Sequence, residues 1–472
     1  MAAKLQLHED RLFPSDPVQR GIARELYASI RGLPIVSPHG HTDPSWFAGN
    51  APFPDPTNLL IVPDHYVLRM LYSQGIPMES LGAPRLDGRP HETDMRKAWR
   101  LFAENYFLFA GTPSRMWLDW VFHEVFGLRE ALSADTADTY FDTIDAALKT
   151  DAFRPRALFE RFNIEVIATT EDPLDPLPHH AKLIKDGWGK RVVTTFRPDN
   201  VLNPEVPGFA QNLDRLGVLT GCDTASYAGY IAALENRRAY FKAHGATASD
   251  HGHPTAHTAD LTRREAENLF MRVRDGGASA GEAETFRGHM LMEMARMSQE
   301  DGLVLQIHPG AFRSHNQPVL AAYGPDKGGD IPMRTDYVTA LRPLLGKYGN
   351  NPDFTIIVFT LDESVYAREL APLAGHYPAL KLGPAWWFHD SPEGMRRFRE
   401  QTTETAGFYN TVGFNDDTRA FLSIPARHDV ARRMDCGFLA RLVAEHRIGI
   451  DEAHRIAEDL TYNLVRKTYR FA

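Results

Sequence analysis

Eight short β-rich runs recur along this chain, separated by longer stretches of helical pattern, and that alternation limits the architecture more than any other feature. The runs are Leu33–His41, Ile164–Thr169, Arg191–Phe196, a weaker Ala246–Asp250, Leu303–His308, Phe354–Phe359, Ala379–Phe388 and Asn410–Asn415. Strands alternating with helices predict βα units around a parallel sheet. Eight such units fit a closed α/β barrel of the (β/α)8 TIM type, in which chemistry gathers at the C-terminal strand ends. The spacing is uneven. The connection after the first strand carries helical stretches at Asp94–Phe109 and Met116–Phe126, far more than a βα connection needs. It predicts a large helical insertion over 44–160, with 1–43 and 161–472 forming the barrel. A second expanded connection, Gly208–Gly245, holds a helical pattern from Ala225 to Lys242. The tail Asp451–Tyr469 reads as an amphipathic helix with Asp451 as its cap, and residues 1–30 also look helical.

At 472 residues and 43% hydrophobic, the chain can bury one large core. A net charge of -9 argues against a nucleic-acid partner, which needs a basic footprint. No apolar run is long enough to span a bilayer, so no membrane partner is expected. Cys222 and Cys436 form neither a disulfide framework nor a thiolate zinc site. The charged start Met1–Asp10 has no apolar signal region, and the expected location is cytoplasmic.

The strand ends carry the chemistry. His39 and His41 close the first run; side chains on a strand alternate faces, so both point the same way. Their Cα atoms lie roughly 6–7 Å apart at about 3.3 Å rise per residue, which lets both imidazoles reach one metal ion. Asp417 follows the last run, which a closed barrel places beside the first, and a His-His-Asp set with open positions is a catalytic metal arrangement. Asp416 is the better candidate for helix capping. The second His-x-His, His251 and His253, follows a weak run and precedes Pro254, and reads as a loop. His179-His180 reads as a solvated surface pair. Asp250 suits sugar hydroxyls. Arg197, Arg313 and Arg419 each follow a strand, and three planar forks on one face suggest an anionic substrate. Of Trp386 and Trp387, one is core and the other can present its ring to a sugar.

The ordered set His39-x-His41, Asp64-His65-Tyr66, Thr195-Phe196-Arg197-Pro198-Asp199, Ser249-Asp250-His251-Gly252, His308 with Arg313, Trp386-Trp387-Phe388, Asp417-Thr418-Arg419 and Arg427-His428 resembles the uronate isomerase (glucuronate isomerase) family of the amidohydrolase superfamily. The resemblance spans essentially the whole chain. It implies a (β/α)8 barrel with a helical insertion. It also implies isomerisation of D-glucuronate to D-fructuronate, with D-galacturonate to D-tagaturonate as the companion reaction. By the same resemblance His39, His41 and Asp417 bind a divalent metal, typically zinc, while Tyr66, Arg197, Asp250, His308, Arg313, Trp386 and Arg419 line the substrate pocket. Pro309 and Pro38 depart from the family's pattern, and Pro309 stiffens the turn that aims Arg313.

Moving a carbonyl between C1 and C2 of a sugar acid requires a proton to leave C2 and arrive at C1 through a cis-enediol. Positioned acid–base groups accelerate such transfers by roughly 10²–10⁴-fold. Asp417, Tyr66 and His39 are the candidates for that work, left unranked. Arg197 and Arg419, with Arg313 close behind, are candidates to clamp the carboxylate. The competing reading is a mononuclear metal-dependent hydrolase or deaminase of the same superfamily. Such enzymes generally add a His after the sixth strand or a bridging Lys; here the sixth run ends Thr360-Leu361-Asp362-Glu363 and no Lys follows the fourth. A sugar-binding barrel without catalysis has no need of a metal triad. The insertion offers a place for subunit contact, and a homo-oligomer stays open.

Overall fold

In the computed structural model, which describes residues 3–471, one parallel sheet organises the chain. Its strands are β1 (Ile35–Ser37), β2 (Ile164–Glu171), β3 (Val192–Phe196), β4 (Ala248–His251) and β5 (Val304–Ile307), then β8 (Ile356–Val358) and β9 (Leu380–Leu382), hydrogen-bonded in that order. A small antiparallel ribbon, β6 (Ala311–Phe312) with β7 (Ile331–Pro332), stands apart from it. Seven of the predicted runs therefore join the sheet. The eighth, Asn410–Asn415, makes only a single bridge, Thr411 to Leu382, with Leu382 N donating to Asn410 O. Further on, His41 N donates to Thr418 O at 3.1 Å, so this segment touches both β9 and the chain leaving β1.

Both faces of the sheet are apolar because both are covered. On β3, β5 and β8, Val193, Val304 and Ile357 turn to an inner cluster shared with Val36, Val166, Ala168, Ala248 and Val412. The alternate residues Phe196, Leu305, Ile307, Ile356 and Val358 pack outward against helices. The inner cluster is plugged by Val465 and Tyr469 from the helix Leu464–Tyr469, whose buried Tyr469 hydroxyl donates to Gln306 Oε1 at 2.9 Å. Period-two alternation then fixes which strand-end residues face inward: with Ala248 inside, Asp250 is inside and His251 outside.

Residues 44–160 contain helices and one isolated bridge residue, Glu130 pairing Lys4, but no strand. Their apolar residues, among them Trp99, Phe102, Phe122 and Ile144, form a cluster continuous with Ile35, Ile164 and Val192 of the sheet. The predicted Asp94–Phe109 helix is Met95–Glu104 followed by a 3₁₀ turn, and Ala225–Lys242 is Tyr227–Ala243. Several local expectations need correction. Asp451 does not cap the last helices; Gly449 does, and Asp451 sits in the first turn, where its charge suits the helix dipole. Among the described residues 3–30, only Pro17–Ile30 is helical, started by the Asp16 cap and Pro17. Among the described residues no helix is long and apolar enough to cross a membrane.

Because Trp99 is fully buried and shares a cluster with strand residues, Trp99→Ala is expected to cost about 3–5 kcal/mol. Urea unfolding should show one transition moved to lower denaturant. Two separated transitions would mean that the helices of 44–160 do not share the core of the sheet.

Candidate active site

The C-terminal ends of the strands open into a cavity of ≈ 600 Å³. Each sequence-predicted site residue lines it: His39, His41, Tyr66, Arg197, Asp250, His308, Arg313, Trp386, Asp417 and Arg419. His41 Nε2 lies 3.3 Å and His39 Nε2 3.8 Å from Asp417 Oδ1. One ligand atom from each of the three falls within 4.8 Å of the others. Asp417 Oδ1 and His39 Nδ1 are buried without a hydrogen-bond partner. Two imidazoles and a carboxylate with a free oxygen suit a divalent cation with open positions. Asp417 takes the left-handed backbone (φ 37°), which its own N–H supports by donating to Asn415 Oδ1 at 3.0 Å. Its other oxygen accepts the indole N–H of Trp386. Burial raises the Asp417 carboxyl, but His41, His39 and the Trp386 N–H outweigh it and leave it below the usual carboxylate range. Burial pushes His41 down, against the attraction of Asp417.

Beside the triad lies Asp250, 1% exposed. His308 Nε2 approaches its Oδ1 at 2.9 Å, while Arg197 Nη1 and His39 Nε2 face its Oδ2 at 3.4 and 3.7 Å. Burial raises this carboxyl, and His308, His39 and Arg197 together hold it far below its ordinary value. Arg197 Nε also donates to Asp199 Oδ2 at 3.0 Å. Gly252 makes the crowding feasible: a Cβ there would sit 2.7 Å from Arg197 Nη2 and 2.8 Å from His308 Cε1. At the mouth, Arg419 Nη2 donates to Asp326 Oδ2 at 2.7 Å and Arg313 Nη1 to Asp330 Oδ2 at 2.8 Å. Trp387 lies under Arg313, 5.1 Å from Cζ to the ring centroid, so Trp386 is the buried partner and Trp387 the more open one.

Three assignments made from the residues alone change. Of the second His-x-His, His251 is not in a loop but ends β4, His253 lies in the loop that follows, and both are buried. With Asp199 they form a second ligand-type cluster. His251 faces away from the cavity, and Asp199 already accepts from Arg197 Nε and Gly252 N. Arg287 and Arg197 add positive charge around His253, which disfavours a further cation there. His180 is not a surface residue: it is 1% exposed and bonds Thr169 Oγ1 at 2.9 Å, and burial pushes it down to about 4. Asp416 is not a helix cap; its Oδ2 meets His428 Nε2 at 2.9 Å in a buried pair. The residues that sequence reasoning left unassigned are Arg427, Asp390 and Trp117. Arg427 belongs to the Arg427-His428 pair of the resemblance but has no role there, Asp390 and Trp117 belong to no motif, and the fold brings Arg427 Nη1 to Asp390 Oδ2 at 2.6 Å.

A family model described as glucuronate isomerase matches residues 16–469. The chain belongs to the glucuronate isomerase family. A uronate isomerase of Rhizorhabdus wittichii is 67% identical over 469 residues, covering 99% of this chain and 99% of that protein. The crystal structure of glucuronate isomerase from Caulobacter crescentus superposes with a TM-score of 0.97 at 61% identity, over 99% of this chain and 97% of that one. A uronate isomerase structure from Thermotoga maritima matches with a TM-score of 0.91 at 26% identity, over 98% and 99% of the two chains. Family membership over the full length favours uronate isomerisation over the hydrolase reading.

Glu171, which ends β2 and lines the cavity, is pushed up by burial to about 7 against the Thr194 hydroxyl that donates to it. The folded state thus binds this proton more tightly than the unfolded chain. The stability it contributes at low pH is lost as pH rises from the ordinary value of 4.5 through 7. Glu171→Gln stays neutral throughout. Its melting temperature should exceed that of the parent at about pH 8 and converge with it near about pH 5. Equal melting temperatures at both would show that the carboxyl is not perturbed.

Proposed function

We propose that this enzyme, a uronate isomerase (EC 5.3.1.12), interconverts D-glucuronate and D-fructuronate, and D-galacturonate and D-tagaturonate, in hexuronate catabolism. The reaction moves a proton between C2 and C1 through a cis-enediol. The observation that carries this reading is the convergence on one cavity of the His39–His41–Asp417 triad, the buried Asp250 and the arginines 197, 313 and 419. The site is read as the C-terminal face of an eight-unit barrel. The segment 410–418 serves as its eighth unit, supported by its contacts to Leu382 and His41. Residues 44–160 are read as an inserted subdomain that brings Tyr66 to the cavity. Two unpaired cysteines support a reducing, cytoplasmic location.

The residues divide the work. Arg419 and Arg197 present planar cationic forks to the C6 carboxylate, with Arg313 at the mouth; each is already steadied by an aspartate. Asp250, held ionised by its three partners, has both buried oxygens free to accept hydrogen bonds from sugar hydroxyls, with His308 Nε2 2.9 Å from its Oδ1. Asp417 is ionised and suited to take the C2 proton. Tyr66 is kept protonated by burial and suited to give a proton to a sugar oxygen, with His39 near the same atoms. His39, His41 and Asp417 would hold a divalent ion, read as zinc, which would supply Lewis-acid polarisation of a substrate oxygen.

Incubation with D-glucuronate in D2O should give the ketose by NMR, with deuterium exchanged at C2. Ester or amide hydrolysis without isomerisation of either uronate would refute the reading. Asp417→Asn is expected to lower kcat by about 10²–10⁴-fold with the fold intact. Arg419→Met should raise KM for the uronate; an unchanged KM would place the anion clamp elsewhere.

A further inference from the structure

Arg427 has no part in the steps above, yet it joins the two sides of the site. It lies in the helix Ile424–Ala444, is 2% exposed, and borders the cavity. Its guanidinium lies over the Trp117 ring, 3.6 Å from Cζ to the centroid. Nη1 donates to Asp390 Oδ2 at 2.6 Å and reaches the backbone oxygen of Asp416 at 3.3 Å, one residue before the triad's Asp417. Nε donates to Ser423 Oγ at 3.2 Å.

On the other side, the Tyr66 ring lies 5.8 Å from the same Cζ and meets Trp117 edge-on, with centroids 5.9 Å apart. Tyr66 opens the helix His65–Ser73, whose cap Asp64 accepts from Tyr66 N and Val67 N. Arg427 is the strongest of the charges opposing the effect of burial on Asp64. Tyr66 and Trp117 come from residues 44–160, whereas Asp390 and Asp416 come from the far end of the chain. One planar cation that cannot lose its charge therefore bridges both groups.

We propose that Arg427 is a positioning residue for the isomerisation: stacked on Trp117 and tied to Asp390 and Asp416, it fixes Tyr66 relative to the Asp417 turn. The inference rests on the reading in which Tyr66 and Asp417 handle the protons. A misplacement of about 1 Å between such groups costs about 10²-fold in rate, and it acts on turnover more than on binding.

The test is a double-mutant cycle with Arg427→Met, Tyr66→Phe and the combined variant, following kcat and KM on D-glucuronate. Arg427→Met should lower kcat about 100-fold while KM stays within about threefold. In the Tyr66→Phe background the same change should lower kcat by less than about threefold, because the group it positions has gone. Losses that multiply in the double variant, or a raised KM with kcat retained, would overturn the role. If Arg427→Met does not fold, Trp117→Leu removes the shelf and leaves the charges paired. It should lower kcat about tenfold in the parent and leave Tyr66→Phe unchanged; equal losses in both would overturn the role. A parent enzyme inactive on both uronates would remove the reaction itself, a result distinct from an active parent with a multiplicative cycle.

Discussion

A carboxylate buried at the end of a sheet stays charged only if cations or donors are brought to it, and Asp250 is that group here. Its partners arrive from three other strand ends: His39 after β1, Arg197 after β3 and His308 after β5. No two of these are close in sequence, so the ionised Asp250 requires the curled parallel sheet, and the sheet end is tied together by it. His39 also faces Asp417, which links the hub to the triad. Gly252 completes the constraint, since a side chain there would collide with Arg197 and His308.

The same hub sets the electrostatics of the cavity. Asp417 and Asp250 stay ionised although buried, because imidazoles and guanidinium groups face them. Glu171, on the cavity wall, has no cation against it in this way among the described residues, and burial pushes it up to about 7; behind the wall, burial outweighs Arg427 and pushes Asp390 up to about 7 as well. Asp417 and Glu171, which both line the cavity, are thus driven apart in acidity. The arginines at the mouth, by contrast, are half exposed and each share their charge with one aspartate, which suits a reversible grip on an anion.

Much of this was legible in the sequence where local rules suffice. The apolar run before them placed His39 and His41 at the mouth of the sheet, although β1 stops at Ser37 and both follow it in the loop rather than alternating along the strand. The strand-end positions of Arg197, His308, Arg313 and Asp417 put them on the same side. Alternation does bear on the second His-x-His: counting from Ala248 turns Asp250 inward and His251 outward, but only once the register of the short β4 is known. A four-residue strand with a polar interior carries little hydrophobic signal, and so the pair looked like a loop. His180 and Asp416 escape a local reading for a related reason, because each is satisfied by one partner from another element, Thr169 or His428. The contact of Arg427 with Trp117 depends on how the helices of 44–160 pack on the rest of the chain, and its pair with Asp390 on a tertiary approach across 37 residues, neither of which a local pattern encodes.

The most direct test is anomalous diffraction at the zinc edge from crystals of the zinc-loaded protein. A single peak about 2.0–2.2 Å from ligand atoms of His39, His41 and Asp417, with Asp250 still held by His308, is the expected result. An ion bound instead by Asp199, His251 and His253, or no ordered ion at the triad, would contradict it.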